Sequence, residues 1–274
     1  MRALELVDAW PVDHVAAGVA DTAGPLATRG DRKRAYPWAS VTKLVTALAT
    51  LVAVEEGTVE IDEVAAHLAH ASGLSPDDRS QQLAPPHARR IYSNAGFEVM
   101  AEMVGNRAGL PFEQYLAEAV MEPLEMTGAR LDGSPAHGLV GTIDDLLRLA
   151  HELLVPTLIS AETLALASRP AFPGLDGVLP GFGRQHPNDW GLGFEVRGQK
   201  SPHWTGRGNS PATFGHFGRS GTFLWVDPDA GLALGALTDR EFGGWAAEAW
   251  PALSDAVLAE WRHRGQASPV SITK

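Results

Sequence analysis

The sequence predicts an α+β fold in which an antiparallel sheet built from both chain ends, flanked by terminal helices, carries an inserted and mainly helical lobe. Three observations predict it. Strand patterns crowd the two ends of the 274 residues, helical patterns fill the stretch from Leu44 to about Val155, and a Gly- and Pro-dense segment, 170–210, separates the helices from the returning strands. With 45% hydrophobic and 20% charged residues the chain can bury one large core, so a single domain spanning 1–274 is expected. Within it, residues 1–38 and 190–274 form the expected α/β lobe and residues 39–189 the helical lobe.

Each element has its own signal. After a short opening helix, segments 14–20 and 26–30 flank Asp21-Thr-Ala-Gly24-Pro25, a strand, turn, strand pattern. Leu44, Leu48, Leu51 and Val52 recur at helical spacing, with Gly57 as the stop. Phe97, Met100, Ala101 and Val104 mark another helical stripe. Thr142 is placed to cap a helix whose first turn carries Asp144 and Asp145 and whose stripe is Leu146, Leu149, Leu153 and Leu154. Segment 170–210 reads as a long irregular connection without a regular core element, of the kind that borders functional sites. Segments 213–218, 222–226 and 232–238 then read as strands, the last two joined by Asp227-Pro-Asp-Ala-Gly231. Trp245, Ala249, Leu253, Val257 and Trp261, four apart, mark a terminal helix.

Composition excludes several functions. A net charge of −11 opposes a general hold on nucleic acid or anionic lipid, and the tightest basic cluster, Arg32-Lys33-Arg34, is short. Without cysteine there is no thiolate metal site and no thiol nucleophile. Acids interrupt the first eight residues, and the longest nearly apolar run, 44–54, is about half of a membrane crossing, so a cytoplasmic protein with no membrane partner is expected. No Gly-x-Ser-x-Gly elbow, P-loop or Gly-x-Gly-x-x-Gly occurs. His151-Glu152 begins like a zinc-protease helix, but Val155 stands where the second histidine belongs, so the segment reads as a helix with an exposed polar face.

Lysine is scarce, at positions 33, 43, 200 and 274 only, which makes Ser40-Val-Thr-Lys43 at a helix start informative. A spacing of three brings both side chains to one face, and the helix amino terminus favours an oxyanion beside Ser40. Lys43 can accept a proton only if burial or neighbouring cations lower its pKa. Tyr92-Ser-Asn94 lies just before the Phe97 helix. A phenol beside an ammonium can relay a proton, and an Asn amide can both donate to a carbonyl and accept from the lysine. His216-Phe-Gly218 puts a histidine and a side-chain-free residue on a strand, where another backbone can approach closely.

In this order the three segments resemble the superfamily of serine β-lactamases and penicillin-binding D-Ala-D-Ala peptidases, most closely the class C β-lactamase branch with its related esterases. His70-Ala-Ser-Gly-Leu74 and the run from Phe214 to Pro228 are similar to that branch as well, and the likeness covers nearly the whole chain. The resemblance implies a β-lactamase/transpeptidase-like fold and a catalytic domain with Ser40 as acylated nucleophile. It implies that Lys43 and Tyr92 form the base and proton relay, that Asn94 orients substrate and lysine, and that the backbone N–H groups of Ser40 and Arg219 form the oxyanion hole. His216 and Gly218 complete the substrate side. No metal and no organic cofactor is implied; the partner is a small ester, amide or β-lactam.

Two departures bear on substrate. His216 replaces the family's third-motif lysine and is expected to titrate near neutral pH, and Phe217 replaces a hydroxyl residue. Both favour neutral or bulkier esters and amides over penicillins and free D-alanine termini, although Arg219 could restore a carboxylate partner. The expectation is therefore an esterase or amidase with weak or no β-lactamase activity. The alternatives are a true β-lactamase or D-Ala-D-Ala carboxypeptidase, or a retired sensor that only binds. His203-Trp-Thr-Gly206 either lines the rim of the site or packs a loop.

Overall fold

The computed structural model describes residues 1–266. In chain order a 3-10 helix, Arg2–Ala9, leads into β1 (Val15–Asp21), β2 (Gly24–Gly30) and β3 (Tyr36–Pro37). The helices α1 (Thr42–Glu55), α2 (Ile61–Leu68), α3 (Asn94–Ala108) and α4 (Phe112–Leu116) follow, then β4 (Arg130–Leu131), β5 (Leu139–Gly141), α5 (Ile143–Glu152) and α6 (Ala161–Ala167). The chain returns through β6 (Gly177–Leu179), β7 (Gly183–Gln185), β8 (Glu195–Val196), β9 (Phe214–Gly218), β10 (Thr222–Asp227) and β11 (Leu232–Thr238), and closes with α7 (Gly244–Gln266).

The main sheet has the order β2-β1-β11-β10-β9-β8 with every pair antiparallel. Both chain ends do supply it, since β1 pairs with β11 in a register that puts Gly18 opposite Gly235. Segment 170–210 is less irregular than expected, because β8 adds the sixth strand and β6 and β7 form a separate hairpin. Two-residue strands such as β8 carry too little periodicity to be seen in sequence.

Both faces of the sheet are covered, which explains its nearly continuous apolar strands. Phe223, Trp225, Leu232, Leu234 and Ala236 point to one core with Trp250 and Leu253 of α7, while Leu224, Val226, Ala233 and Leu237 point to the other, with α1 and α5. Helix α1 is buried on all sides from Thr42 to Ala53, as its apolar run requires. Thr142 and Asp145 form a capping box at α5, the Asp145 N–H donating to Thr142 Oγ1 and the Thr142 N–H to Asp145 Oδ2 at 2.8 Å.

Helix α5 falls within the 39–189 stretch but packs on the main sheet as well. It lies across β1, β2, β10 and β11, so close that a Cβ on Gly18 would stand 2.7 Å from Leu147. Its end differs from expectation. Glu152 is buried, and its carboxylate accepts from the N–H groups of Thr157 and Leu158 and the Thr157 hydroxyl, clamping the following loop instead of facing water.

Candidate active site

Ser40 occupies a single 3-10 turn, Ala39–Val41, that runs directly into α1. The preceding Ala39 sits at φ 45°, a costly conformation for a residue with a Cβ, held by its surroundings. The β9–β10 turn is stitched to this segment: Ser220 Oγ donates to Pro37 O at 2.7 Å and Thr222 Oγ1 to Trp38 O at 2.9 Å. Gly218 is required by the same approach, because a Cβ there would stand 2.5 Å from Trp38 O.

The structure brings Ser40, Lys43, Tyr92 and Asn94 together. Lys43 Nζ donates to Asn94 Oδ1 at 2.6 Å and to Ala136 O at 2.9 Å, and stands 3.5 Å from Ser40 Oγ. The Tyr92 hydroxyl donates to Ser40 Oγ at 2.7 Å. Asn94 opens α3, where the Ser93 hydroxyl caps the helix by accepting from the Gly96 N–H, and its own amide donates to Asp77 Oδ1 at 2.8 Å. That donor fixes which end of the amide faces Lys43. His70 braces the tyrosine: its ring centroid lies 4.6 Å from that of Tyr92, and its Nδ1 accepts the Ser93 N–H.

Burial decides the ionisation of this group. Lys43 is fully buried, and that burial lowers it to about 7, against the opposing fields of Asp77 and Glu98. Burial raises Tyr92 well above the ordinary phenol range, the hydrogen bond to Ser40 opposing, so the phenol is neutral at pH 7. A neutral Lys43 has two N–H bonds, and Asn94 and Ala136 supply two good acceptors; its lone pair is left for Ser40.

His216 corrects an expectation. It is buried rather than half-charged near neutrality, and burial, with Lys43 nearby, pushes it down to about 3. Nδ1 lies 2.6 Å from Phe217 O, an acceptor, so that nitrogen carries the proton and Nε2 is the unprotonated one. Arg219 is placed on the rim with its side chain largely exposed, its Nε 3.6 Å from Glu241, so its guanidinium does not stand in for the missing lysine inside the site.

Ser40, Tyr92, Asn94, His216 and Arg219 line a pocket of about 330 Å³ whose remaining walls are Leu179, Pro180 and Gly181 of the β6–β7 hairpin with Trp190, Phe217 and Phe242. Glu195 closes the back, gripped by Lys200, by His203 Nε2 at 2.9 Å and by Trp204 Nε1 at 2.9 Å. His203 and Trp204 are thus buried behind the wall: the 203–206 segment packs a loop and does not form the rim. Sequence reasoning missed Asp77, the Ala136 carbonyl and most apolar walls. Trp190, followed by Gly191 and Gly193 in an irregular stretch, carries the one usable signal among them. Among the described residues no cluster of three or more His, Asp or Glu side chains is arranged to hold a metal. Nor is any helix among them long and apolar enough to cross a membrane.

The beta-lactamase family profile matches residues 5–258. The chain belongs to the beta-lactamase family. A crystal structure of a beta-lactamase from Mycobacterium bovis superposes with a TM-score of 0.92 at 55% identity, over 94% of this chain and 99% of that one. Two remoter structures share the fold. Unliganded simvastatin synthase (LovD) from Aspergillus terreus is 17% identical at TM-score 0.77, covering 96% of this chain and 98% of its own. EstCE1, a hydrolase with promiscuous acyltransferase activity, is 17% identical at TM-score 0.75, over 94% and 97%. No curated protein matches the chain. The family is one of hydrolases, and this member keeps a serine, tyrosine and asparagine on the pocket wall with a lysine buried behind them in contact with the serine and asparagine.

Proposed function

We propose that the protein is a serine hydrolase that forms an acyl-enzyme on Ser40 and prefers neutral esters or amides with an apolar acyl group. One observation carries the reading: Ser40 Oγ accepts from a neutral Tyr92 while a lysine lowered to about 7 stands on its other side. Because Tyr92 donates to Oγ, the serine proton is free to go to Lys43 as Oγ attacks the carbonyl carbon. The backbone N–H groups of Ser40 and Arg219 receive the oxyanion. Tyr92 then gives its phenol proton to the leaving oxygen or nitrogen as the bond to the acyl carbon breaks, and the Lys43 ammonium, 4.7 Å from the Tyr92 ring centroid, returns a proton to the phenolate. Water repeats the sequence in reverse and frees the acid.

The preference for neutral substrates rests on His216, which offers no charge where a carboxylate would need one, and on the aromatic walls Trp190, Phe217 and Phe242. A β-lactamase reading stands second, favoured by the 55% identical structure described as a beta-lactamase. Intact-protein mass spectrometry after mixing with an activated aryl ester, a serine-directed phosphonate and a penicillin separates them. The expected result is an adduct on Ser40 with ester and phosphonate, absent in Ser40→Ala, and faster turnover of the ester than of the penicillin. Faster penicillin turnover favours the second reading, acylation without release favours a sensor, and no adduct with any reagent removes the nucleophile assignment.

A further inference from the structure

A groove of about 520 Å³ runs on from the catalytic pocket, the two meeting at Tyr92 and Pro180. Tyr92 touches Ser40, so a ligand that spans pocket and groove passes the nucleophile. The lining combines two features that solvent alone does not explain. Leu83 and Val178 expose 43% and 60% of their surfaces there, although large apolar side chains are otherwise nearly all covered. Three guanidinium groups, of Arg89, Arg90 and Arg184, share the same lining in a chain of net charge −11.

The charges are not used up by the protein. Arg90 is buried, and its guanidinium donates to the carbonyls of Ala69, Phe172 and Asn188, at 2.6, 3.0 and 2.6 Å, and of Ala171, so its positive charge meets no carboxylate. Arg89 and Arg184 are exposed, and among the described residues neither forms an ion pair. Asp176, also on the lining, is held instead by His186 Nδ1 at 2.8 Å. The local field is therefore positive over an apolar floor, opposite in sign to the molecule as a whole.

We propose that this groove is a subsite for the far end of the substrate, an apolar segment ending in an anionic group that pairs with Arg89 and Arg184. The bond that is cut rests on the reading of Ser40 given above; the subsite itself does not. The neutral requirement belongs to the catalytic pocket at His216 and the anion to the adjoining groove, since Arg89 and Arg184 line the groove and not the pocket, so the two are compatible in one molecule.

Two matched pairs of aryl esters test it, each member ending in a carboxylate or a carboxamide, one pair on the acyl chain and the other on the leaving group. The expected result is a preference of about fivefold in kcat/KM for the carboxylate member of at least one pair, carried by KM and weakened by salt. The double charge reversal Arg89→Glu/Arg184→Glu reverses the preference, whereas Arg130→Glu, an exposed arginine far from the groove, leaves it in place. No preference in either pair, or one that survives the double reversal, overturns the proposal. Calorimetric binding of the corresponding non-hydrolysable amides to Ser40→Ala reads the groove without turnover: tighter binding of the carboxylate member, lost on double reversal, supports the subsite, and equal binding overturns it. Absence of ester turnover in the wild type therefore removes the hydrolase reading while leaving the subsite decided by calorimetry.

Discussion

Lys43 and Lys200 are both buried lysines, and one difference between them separates chemistry from scaffolding. Lys200 meets the Glu195 carboxylate, along with the carbonyls of Val196 and, at 2.6 Å, Asp189. Lys43 meets only neutral acceptors, Asn94 Oδ1 and Ala136 O, with Ser40 Oγ at 3.5 Å. A carboxylate at contact distance favours the charged amine against burial and makes the pair a strut. Burial pushes both amines down, but at Lys200 the Glu195 carboxylate opposes that push at contact distance, whereas at Lys43 only the more distant Asp77 and Glu98 oppose it and the amine falls to about 7.

The largest effect that tests this contrast is the loss of activity at one lysine without loss of fold. Lys43→Met is expected to lower the acylation rate by about 10³-fold while raising stability by roughly 1 to 4 kcal/mol, since a desolvated cation is replaced by an apolar side chain. Stopped-flow acylation and thermal melting check the two halves. A destabilised Lys43→Met would mean that its amine is a strut as well. The same change at Lys200 should do the opposite, costing about 3 kcal/mol by stranding Glu195, read as a fall in Tm. Lys200→Met/Glu195→Gln should recover part of that loss, as coupled partners do.

If Tyr92 relays the proton as proposed, Tyr92→Phe slows acylation by about 10²-fold with little change in substrate KM, because it keeps the ring that lines the pocket and removes only the hydroxyl, whose hydrogen bond goes to Ser40 Oγ. Smaller still are the pH effects. Acylation should rise with pH and level off above about 7, as Lys43 loses its proton, with no further inflection from His216 between pH 5 and 8, since that ring is held at about 3. Ring nitrogen NMR shifts of His216 that stay constant over this range check the second statement. In stability the two lysine environments act in different windows. Lys43, lowered in the folded state, makes the unfolded chain bind more protons between about 7 and its unfolded value near 10.4, so stability rises with pH there. The advantage of Lys43→Met over wild type should accordingly shrink towards pH 10. Burial pushes the Glu195 carboxyl up, but His203 and Lys200 outweigh it and hold it below its ordinary value. Its contribution is complete above about 4.3, the unfolded value, and is lost as pH falls further.

Much of the fold was legible because its signals are local. Leu232–Thr238 matches its predicted strand, Thr142 caps α5 as its neighbours Asp144 and Asp145 suggest, and Gly57 ends α1 at φ 74°. The site was legible in its polar members for a similar reason: a serine and lysine three apart at a helix start, and an asparagine at another, are oriented by helix geometry. What failed depended on distant partners. Glu152 reads as part of an exposed face and 203–206 reads equally as rim or packed loop, because their environments come from Thr157 and Glu195 through folds of the loop that no periodicity marks. Phe242 and Leu179 reach the pocket from segments with no motif at all.

While the meeting of Tyr92 and Asn94 with Ser40 and Lys43 followed only from the family resemblance, the sequence by itself determined that the two chain ends pair into one sheet and that a helix buried on all sides begins at Ser40. Patterns of apolar burial and turn chemistry are sufficient for that, since they act through the spacing of neighbouring residues. Only the tertiary structure decided the charge states. Lys43 is lowered to about 7 because it is enclosed among neutral partners, His216 is uncharged because it is enclosed, and Arg89 and Arg184 line the groove beside the pocket. Protonation depends on the solvent excluded and the charges within a few ångströms, and those are properties of the folded surroundings rather than of the residue.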